Sequence, residues 1–443
     1  MEKFINENLE NIKNDIKELV SYKSVLNDDE LPFGSENKKV LDSAIKIMDR
    51  MGFKTKNLDY YCGYGEVGQG DKLVGIAAHL DIVPVSEGWL SDPFVLTEKN
   101  GKLFGRGVSD DKGAAVLSMY ALKYLIDNGY QFKKRFRILL GCNEETGSKC
   151  MDYYMEHDEP FSMGFTPDAE FPGIYAEKGV LGCKLVGKSK IKSIEGGSAS
   201  NIVCNKVTAI ISQNDYNLDK FKTYLGNHSI KYEINGDNII VYGKSAHAST
   251  PELGINAINY LFEALKNADF NDTYTNNITK YFSLTTDGSL IGLNKYNDDI
   301  SVTTTNLGVI SEENGTIICT LDIRFPVKSN PSEFAETLKS IANDDFILKD
   351  FDSAKPLFYD KNTNWIQALK KAYVDVTKDT AHDLQAIGGG TYAKHLTNII
   401  AFGCQFLDEN NHIHESNEEL SIDSMKKQIM IYIEAIKNLN EVE

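Results

Sequence analysis

No apolar run in this 443-residue chain approaches the ~20 residues needed to cross a bilayer, which argues against a helical membrane protein. The N-terminal MEKFINENLENIKNDIKELV is acidic and amphipathic and has no basic leader ahead of an apolar core. A cytoplasmic protein is therefore expected. There is no CxxC pair: Cys62, Cys142, Cys150, Cys183, Cys204, Cys319 and Cys404 are odd in number and scattered. Neither a disulfide framework nor a thiolate zinc site is expected, and a reducing compartment suits the chain best. Internal repeats and low-complexity segments are missing too. Basic residues are in deficit, 47 against 64 acidic ones, for a net charge of −17. Such a surface repels nucleic acid and anionic membranes, so neither is expected as a partner.

What is present is an ordinary globular composition, 42% apolar and 25% charged, in a chain long enough for two to three domains. The first 178 residues alternate strand and helix patterns. Amphipathic helices are expected near 3–21 and 38–51. LVGIAAHL (73–80) is a short buried strand bounded by turn residues, AAVLSMYALKYLIDNG (114–129) a helix with a glycine stop, and RFRILLGC (135–142) another strand. This alternation predicts an α/β sheet with helices on both faces. From about 179 to 355 the texture changes. KYEINGDNIIVYGKSAH places an Asn-Gly turn between alternating strands, TIICTLDIRF is a second alternating strand, and NAINYLFEAL is a helix among them. Helical patterns return in TNWIQALKKAYVDV and SMKKQIMIYIEAIKNL. The expected architecture is a mixed-sheet α/β/α catalytic domain (1–178 and 356–443), interrupted by an inserted α+β lid domain (179–355).

The chemistry-bearing residues fall at strand-to-loop junctions. In AAHLDIVP, His79 and Asp81 alternate on a strand, face the same side and sit at its carboxyl end, where α/β enzymes build their sites. Alone, the pair reads equally well as a buried histidine beside an acid. In GRGVSDDKGAA, Ser109 and Asp110 stand where a loop becomes a helix, so capping is the plain alternative; the segment lacks phosphate-loop spacing. Glu144 and Glu145 follow an apolar strand, and their diverging side chains allow one to bind metal while the other faces a water. Asp168 ends another short apolar segment, and NHIHESNEEL offers His412 and His414.

Taken together, His79, Asp110, Glu145, Asp168 and His414 supply two imidazoles and three carboxylates. That mix suits a pair of Zn, Mn or Co ions better than magnesium or an iron–sulfur cluster. A pair of metals needs one bridging carboxylate and two terminal sets. Asp110 is the natural bridge, with His79 and Asp168 completing one ion and Glu145 and His414 the other.

The order HLDIVP, GRGVSDDKG, NEETGS, FTPDAEFP and HESNE resembles the metallopeptidase family of acetylornithine deacetylase, succinyl-diaminopimelate desuccinylase and carboxypeptidase G. Within it, FTPDAEFP, EKG (177–179) and GGGTYAKH (388–395) look like the bacterial peptidase V dipeptidases. The match runs through nearly the whole chain in the same order. The resemblance implies the same five ligands with Asp110 bridging, Asp81 orienting His79, and Glu144 as the general base that moves a proton from water to the leaving amine. It singles out His414 over His412, since only His414 has the His-x-x-Asn-Glu spacing. In the insert it implies that His247 and Asn201 support the carbonyl oxygen as it becomes tetrahedral, and that Arg324 grips a substrate carboxylate. The exposed amides of Gly389, Gly390 and Thr391 read as an anion nest, and the resemblance implies carboxylate binding there. The long insert looks like the arrangement in which one chain supplies the whole site, so a functional monomer acting on small peptides is expected.

The function expected is hydrolysis of Xaa-Xaa dipeptides by a two-metal centre. The rival is deacylation of N-acyl amino acids, which uses the same water chemistry. A catalytically silent amide-binding protein is the third reading, and the retention of Glu144 with all five ligands argues against it.

Overall fold

The computed structural model describes residues 1–443. They form two compact units. One comprises Met1–Tyr175, Tyr359–Gln385 and Gly390–Glu443; the other comprises Ala176–Phe358 with Ala386–Gly389. The junctions thus lie a few residues from the expected 178/179 and 355/356. The short segment 386–389 groups with the second unit because Ile387 O accepts the Lys178 N–H and Gly388 O accepts from the Arg324 guanidinium.

The first unit is built on a mixed sheet. Its strand order is Lys54–Leu58, Cys62–Gly68, Arg135–Gly141, Leu73–His79, Met163–Thr166 and Ile399–Ala401, with Ile174 at the edge. The strands from Arg135–Gly141 to Ile399–Ala401 are mutually parallel, and those outside them run antiparallel. Every residue of Leu73–His79 is buried, as expected for a strand covered on both sides. Six helices belong to this unit: Glu2–Val20, Ser35–Arg50, Lys112–Asp127, Lys149–His157, Asn364–Thr377 and Ile422–Glu441. Ser35–Arg50 lies directly on the strand Cys62–Gly68. A Cβ at Gly65 would come 2.6 Å from Met48 Sδ, so only glycine lets the helix approach so closely.

The second unit is an eight-stranded antiparallel sheet. Its order is Tyr232–Asn235, Asn238–Tyr242, Lys206–Ile210, Ser193–Gly196, Thr304–Glu313, Thr316–Phe325, Gly179–Lys188 and Ile347–Ala354. The two residues between the first two strands are Gly236 and Asp237 rather than Asn235 and Gly236, and Gly236, with φ +60°, takes the first central position, where a tight hairpin turn favours glycine. Alternating side chains of Gly179–Lys188 pack into a core shared with the helices Leu218–Asn227, Ala257–Asn267, Thr273–Tyr281 and Pro331–Lys339.

Candidate metal centre

Three neighbouring strands end at one edge of the first unit's sheet. His79 closes Leu73–His79, Arg135–Gly141 runs on to Glu144 and Glu145, and Met163–Thr166 runs on to Asp168. Because they are parallel, their carboxyl ends gather together. Asp110 and Asp111 immediately precede the helix Lys112–Asp127. Asp111 holds the cap position, yet its carboxylate makes no cap bond; it accepts the His79 N–H at 3.1 Å. Ser109 and Asp110, the residues for which capping is the plain alternative, both precede that cap position.

The carboxylate of Asp110 is divided between two imidazoles. Its Oδ1 is 2.8 Å from His79 Nε2, and its Oδ2 is 2.9 Å from His414 Nε2. His414 Nε2 is also 3.1 Å from Glu145 Oε1, and Asp168 Oδ2 lies 4.0 Å from His79 Nε2. Ligand atoms of His79, Glu144 and Asp168 lie within 4.8 Å of one another, as do those of His79, Asp110 and Glu145. All five residues expected as ligands thus come together with Glu144. His412 points elsewhere, 3.1 Å from Glu415.

Asp81 acts differently from expectation. The His79 Nδ1–H faces the Asp81 main-chain carbonyl at 2.9 Å, while the nearest carboxylate oxygen is 3.6 Å away. That hydrogen bond still fixes the ring orientation, turning Nε2 toward the acids. The Asp81 carboxylate instead accepts the N–H groups of Glu144 and Glu145, at 3.0 and 3.1 Å. One carboxylate therefore sets the turn that presents both glutamates.

Electrostatics show what this cluster needs. Burial, reinforced by Glu145, Asp81 and Asp110 against His79, pushes the Glu144 carboxyl up to about 8. Burial, then the Asp110 charge, drives Asp168 well above the ordinary carboxylate range, and Glu145 also rises. Burial works against protonating the two imidazoles, but the hydrogen bonds and charges of the surrounding acids, Asp110 first, together outweigh it: His79 is carried well up and His414 to about 10. Protons thus balance a surplus of acid that divalent cations would balance instead. Two imidazole nitrogens and several carboxylate oxygens converging on one small volume fit such ions.

Sequence reasoning missed Glu418. It is fully buried and accepts from Arg106 Nη1 (2.8 Å) and from the main-chain N–H groups of Gly107 (3.0 Å), Ser109 (2.9 Å) and Asp110 (3.0 Å). It therefore shapes the loop that presents Asp110. Its neighbour Asn417 accepts the Leu90 N–H and donates to Gly88 O. The only signal was the Asn417-Glu418 pair in HESNE, which in isolation reads as a solvated turn. Tyr392, buried behind the site, packs edge-on to His79 at 6.2 Å between ring centroids and meets Cys150 Sγ at 3.1 Å.

Asn201, His247, Arg324 and Gly389 belong to the second unit, and Gly390 and Thr391 to the first. His247 Nδ1 accepts the Ser249 N–H at 3.2 Å and lies 2.7 Å from Ser249 Oγ, so the ring proton is assigned to Nε2. Arg324 is held bidentately by Asp322, Nε to Oδ1 at 2.7 Å and Nη2 to Oδ2 at 2.9 Å, and Nη1 donates to Gly388 O at 3.1 Å. Of its five N–H groups, these bonds leave one on each terminal nitrogen. None of Gly388, Gly389 and Gly390 has positive φ, so the alternating-handed nest is not formed. Closeness accounts for Gly388, where a Cβ would lie 2.1 Å from Ser249 Cβ. Thr391 caps the short helix Tyr392–Lys394, its Oγ1 accepting the Ala393 N–H.

Comparison with known proteins identifies the family. Residues 75–438 match the model of peptidase family M20/M25/M40. The chain is 34% identical over 459 residues to the Staphylococcus haemolyticus protein named "Putative dipeptidase SH1171", covering 97% of each. It is 33% identical over 427 residues to "Putative dipeptidase YtjP" of Bacillus subtilis, covering 92% of each. Among solved structures, human carnosine dipeptidase 1 shares the fold, with a TM-score of 0.61, 14% identity, and coverage of 99% of this chain and 98% of that one. With a family model spanning most of its length and relatives matched nearly end to end, the chain belongs to peptidase family M20/M25/M40.

Proposed function

We propose that this chain is a dipeptidase that hydrolyses the amide bond of Xaa-Xaa dipeptides with two divalent metal ions. The observation that carries the reading is the Asp110 carboxylate, which offers one oxygen to each of two imidazole-bearing ligand groups. A bridging ligand needs that arrangement. On this reading His79 and Asp168 hold one ion with Asp110, and Glu145 and His414 hold the other. Zinc and manganese are the proposed ions, with cobalt accepted by the same donors. When bound, the pair supplies Lewis-acid polarisation of the scissile carbonyl and lowers the pKa of water toward ~7.

The chain's own residues do the rest. Glu144 takes a proton from the attacking water as the water oxygen bonds to the carbonyl carbon. It returns that proton to the amine nitrogen as the C–N bond breaks. Asp81 keeps Glu144 in place through its main chain. Asn201 and the Nε2–H of His247 donate to the carbonyl oxygen as it gains negative charge. The two remaining N–H groups of Arg324, together with amides of Gly389, Gly390 and Thr391, take the C-terminal carboxylate. An anchor at one end and the metal ions at the other favour short substrates. The names of the relatives support dipeptides over N-acyl amino acids. A cytosolic location, where seven unpaired thiols stay reduced, and action as a monomer belong to the same proposal.

Glu144→Gln tests it. Metal content and thermal unfolding should match wild type, while dipeptide hydrolysis falls by roughly 10²–10⁴-fold with loss of the proton-transfer group. Undiminished turnover would remove Glu144 from the mechanism. In the same assay, faster turnover of an N-acetylated analogue than of the free dipeptide would favour deacylation. No hydrolysis by the metal-loaded wild type across a dipeptide panel would leave only a binding protein.

A further inference from the structure

The second unit contains a buried polar assembly that none of the roles above uses. Asn306 lies on Thr304–Glu313, in the middle of the antiparallel sheet, and is only 3% exposed. Its Nδ2 donates to Ser200 O at 2.9 Å and to Ile202 O at 3.0 Å, the carbonyls on either side of Asn201. Its Oδ1 accepts from Asn256 Nδ2 at 3.1 Å. Asn256 Nδ2 also donates to Leu307 O, and its own Oδ1 accepts the Ile258 N–H at the start of the helix Ala257–Asn267. These bonds fix which way round the Asn306 amide sits, because a flip would set its oxygen against two carbonyls.

Backbone contacts complete the seat. A Cβ at Gly308 would lie 2.3 Å from Ser200 O, so the loop rests directly on the strand. The Ala248 N–H donates to Asn201 O, and the Val203 N–H donates to Ala246 O, both at 2.9 Å, which ties the Asn201 loop to the His247 segment. Thr304 Oγ1 in turn donates to Ala248 O at 2.9 Å. Asn201 itself is exposed on the surface of the unit. The outward-facing Asn201 is thus held by an inward-facing amide one layer below.

We propose that Asn306 is a positioning residue for hydrolysis, which sets the aim of Asn201 by holding the two carbonyls flanking it. This inference rests on the reading of Asn201 and His247 as donors to the developing oxyanion. Removing one such donor costs about 10²–10³-fold in kcat, and a misplacement of ~1 Å can cost about 10²-fold. Asn306 makes no contact with substrate in this scheme, so its loss should act on kcat and leave KM nearly alone.

The test uses Asn306→Asp, which keeps the shape but turns an acceptor toward the two carbonyls, and Asn306→Ala, which avoids a buried charge. Both are compared with Asn201→Ala and with the double variant Asn201→Ala/Asn306→Ala. The expected result is kcat lowered by about 10²-fold, KM within about 3-fold of wild type, and a double variant within about 2-fold of Asn201→Ala alone. Should Asn306→Asp fail to fold, Asn306→Ala carries the same comparison. Wild-type kcat per folded enzyme in Asn306→Ala, with only the unfolding temperature lowered, would overturn the inference while Asn201→Ala remained slow. Multiplying effects in the double variant would overturn it as well. Wild-type kcat in Asn201→Ala would instead sink the oxyanion reading beneath it.

Discussion

In the unit built on parallel strands, the carboxyl groups of Asp81, Asp110, Asp111, Glu144, Glu145 and Asp168 crowd around two imidazoles, and burial drives several of these acids toward their neutral forms. In the antiparallel unit, two buried polar side chains near Asn201 and Gly388 are matched by protein partners: Arg324 by Asp322, and Asn306 by two carbonyls and a second amide. The first region is electrostatically incomplete and the second is not. The difference teaches where chemistry and where aim reside, since a site short of positive charge recruits cations, while a balanced network holds donors still.

The comparison breaks first at Asp110. Asp110→Asn should lose both bound metals, read as metal per chain by elemental analysis. Hydrolysis should fall on the order of 10³-fold or more, since several kcal/mol of transition-state stabilisation go with the ions. Retention of two ions would mean that Asp110 is not the bridge. Glu418→Gln sharpens the same side of the contrast. It replaces one acceptor oxygen with a donor facing two of the four N–H groups, so metal affinity should weaken by about 10–100-fold. Rates at saturating metal should stay within a few fold of wild type. If metal affinity were unchanged, the loop presenting Asp110 would owe its shape to something else. The smallest effect is expected from Arg324→Lys in the balanced region, which keeps the charge facing Asp322 but loses the planar fork. It should reduce kcat/KM for a free-carboxylate dipeptide by about 10-fold, mainly through KM, and leave the C-terminal amide of that dipeptide unaffected. Equal losses on both substrates would place the carboxylate anchor elsewhere.

Much of this was legible in the chain itself. Short apolar runs ending in His79, Glu144–Glu145 and Asp168 reveal strand ends, because a parallel strand buried on both sides has a recognisable composition and its carboxyl end is where polar residues can emerge. The hairpin at Gly236 and the strand TIICTLDIRF likewise follow from local rules. What stayed hidden has no local spacing. Glu418 reaches Asp110 across 308 positions, and Asn306 reaches Ser200 across 106. A carboxylate in a run of polar residues carries no mark that it will be buried under four donors. Asp81 was found as a residue, but not the amides it holds: alternation on a strand predicts its facing side chain, not the turn that arrives from a neighbouring strand.

The clasp of Glu418 on residues 106–110 has a consequence for synthesis. His414 and Glu418 are translated about 300 residues after the loop they complete, and the segment between includes the entire antiparallel unit. A nascent chain that has already emitted His79, Asp110, Glu144, Glu145 and Asp168 still lacks the second imidazole and the acid that shapes the Asp110 loop. On the proposed two-metal reading, ribosome-bound intermediates carry the ingredients of the active centre without its last ligand, and peptide-cleaving capacity would switch on only as the last part of the polypeptide folds back.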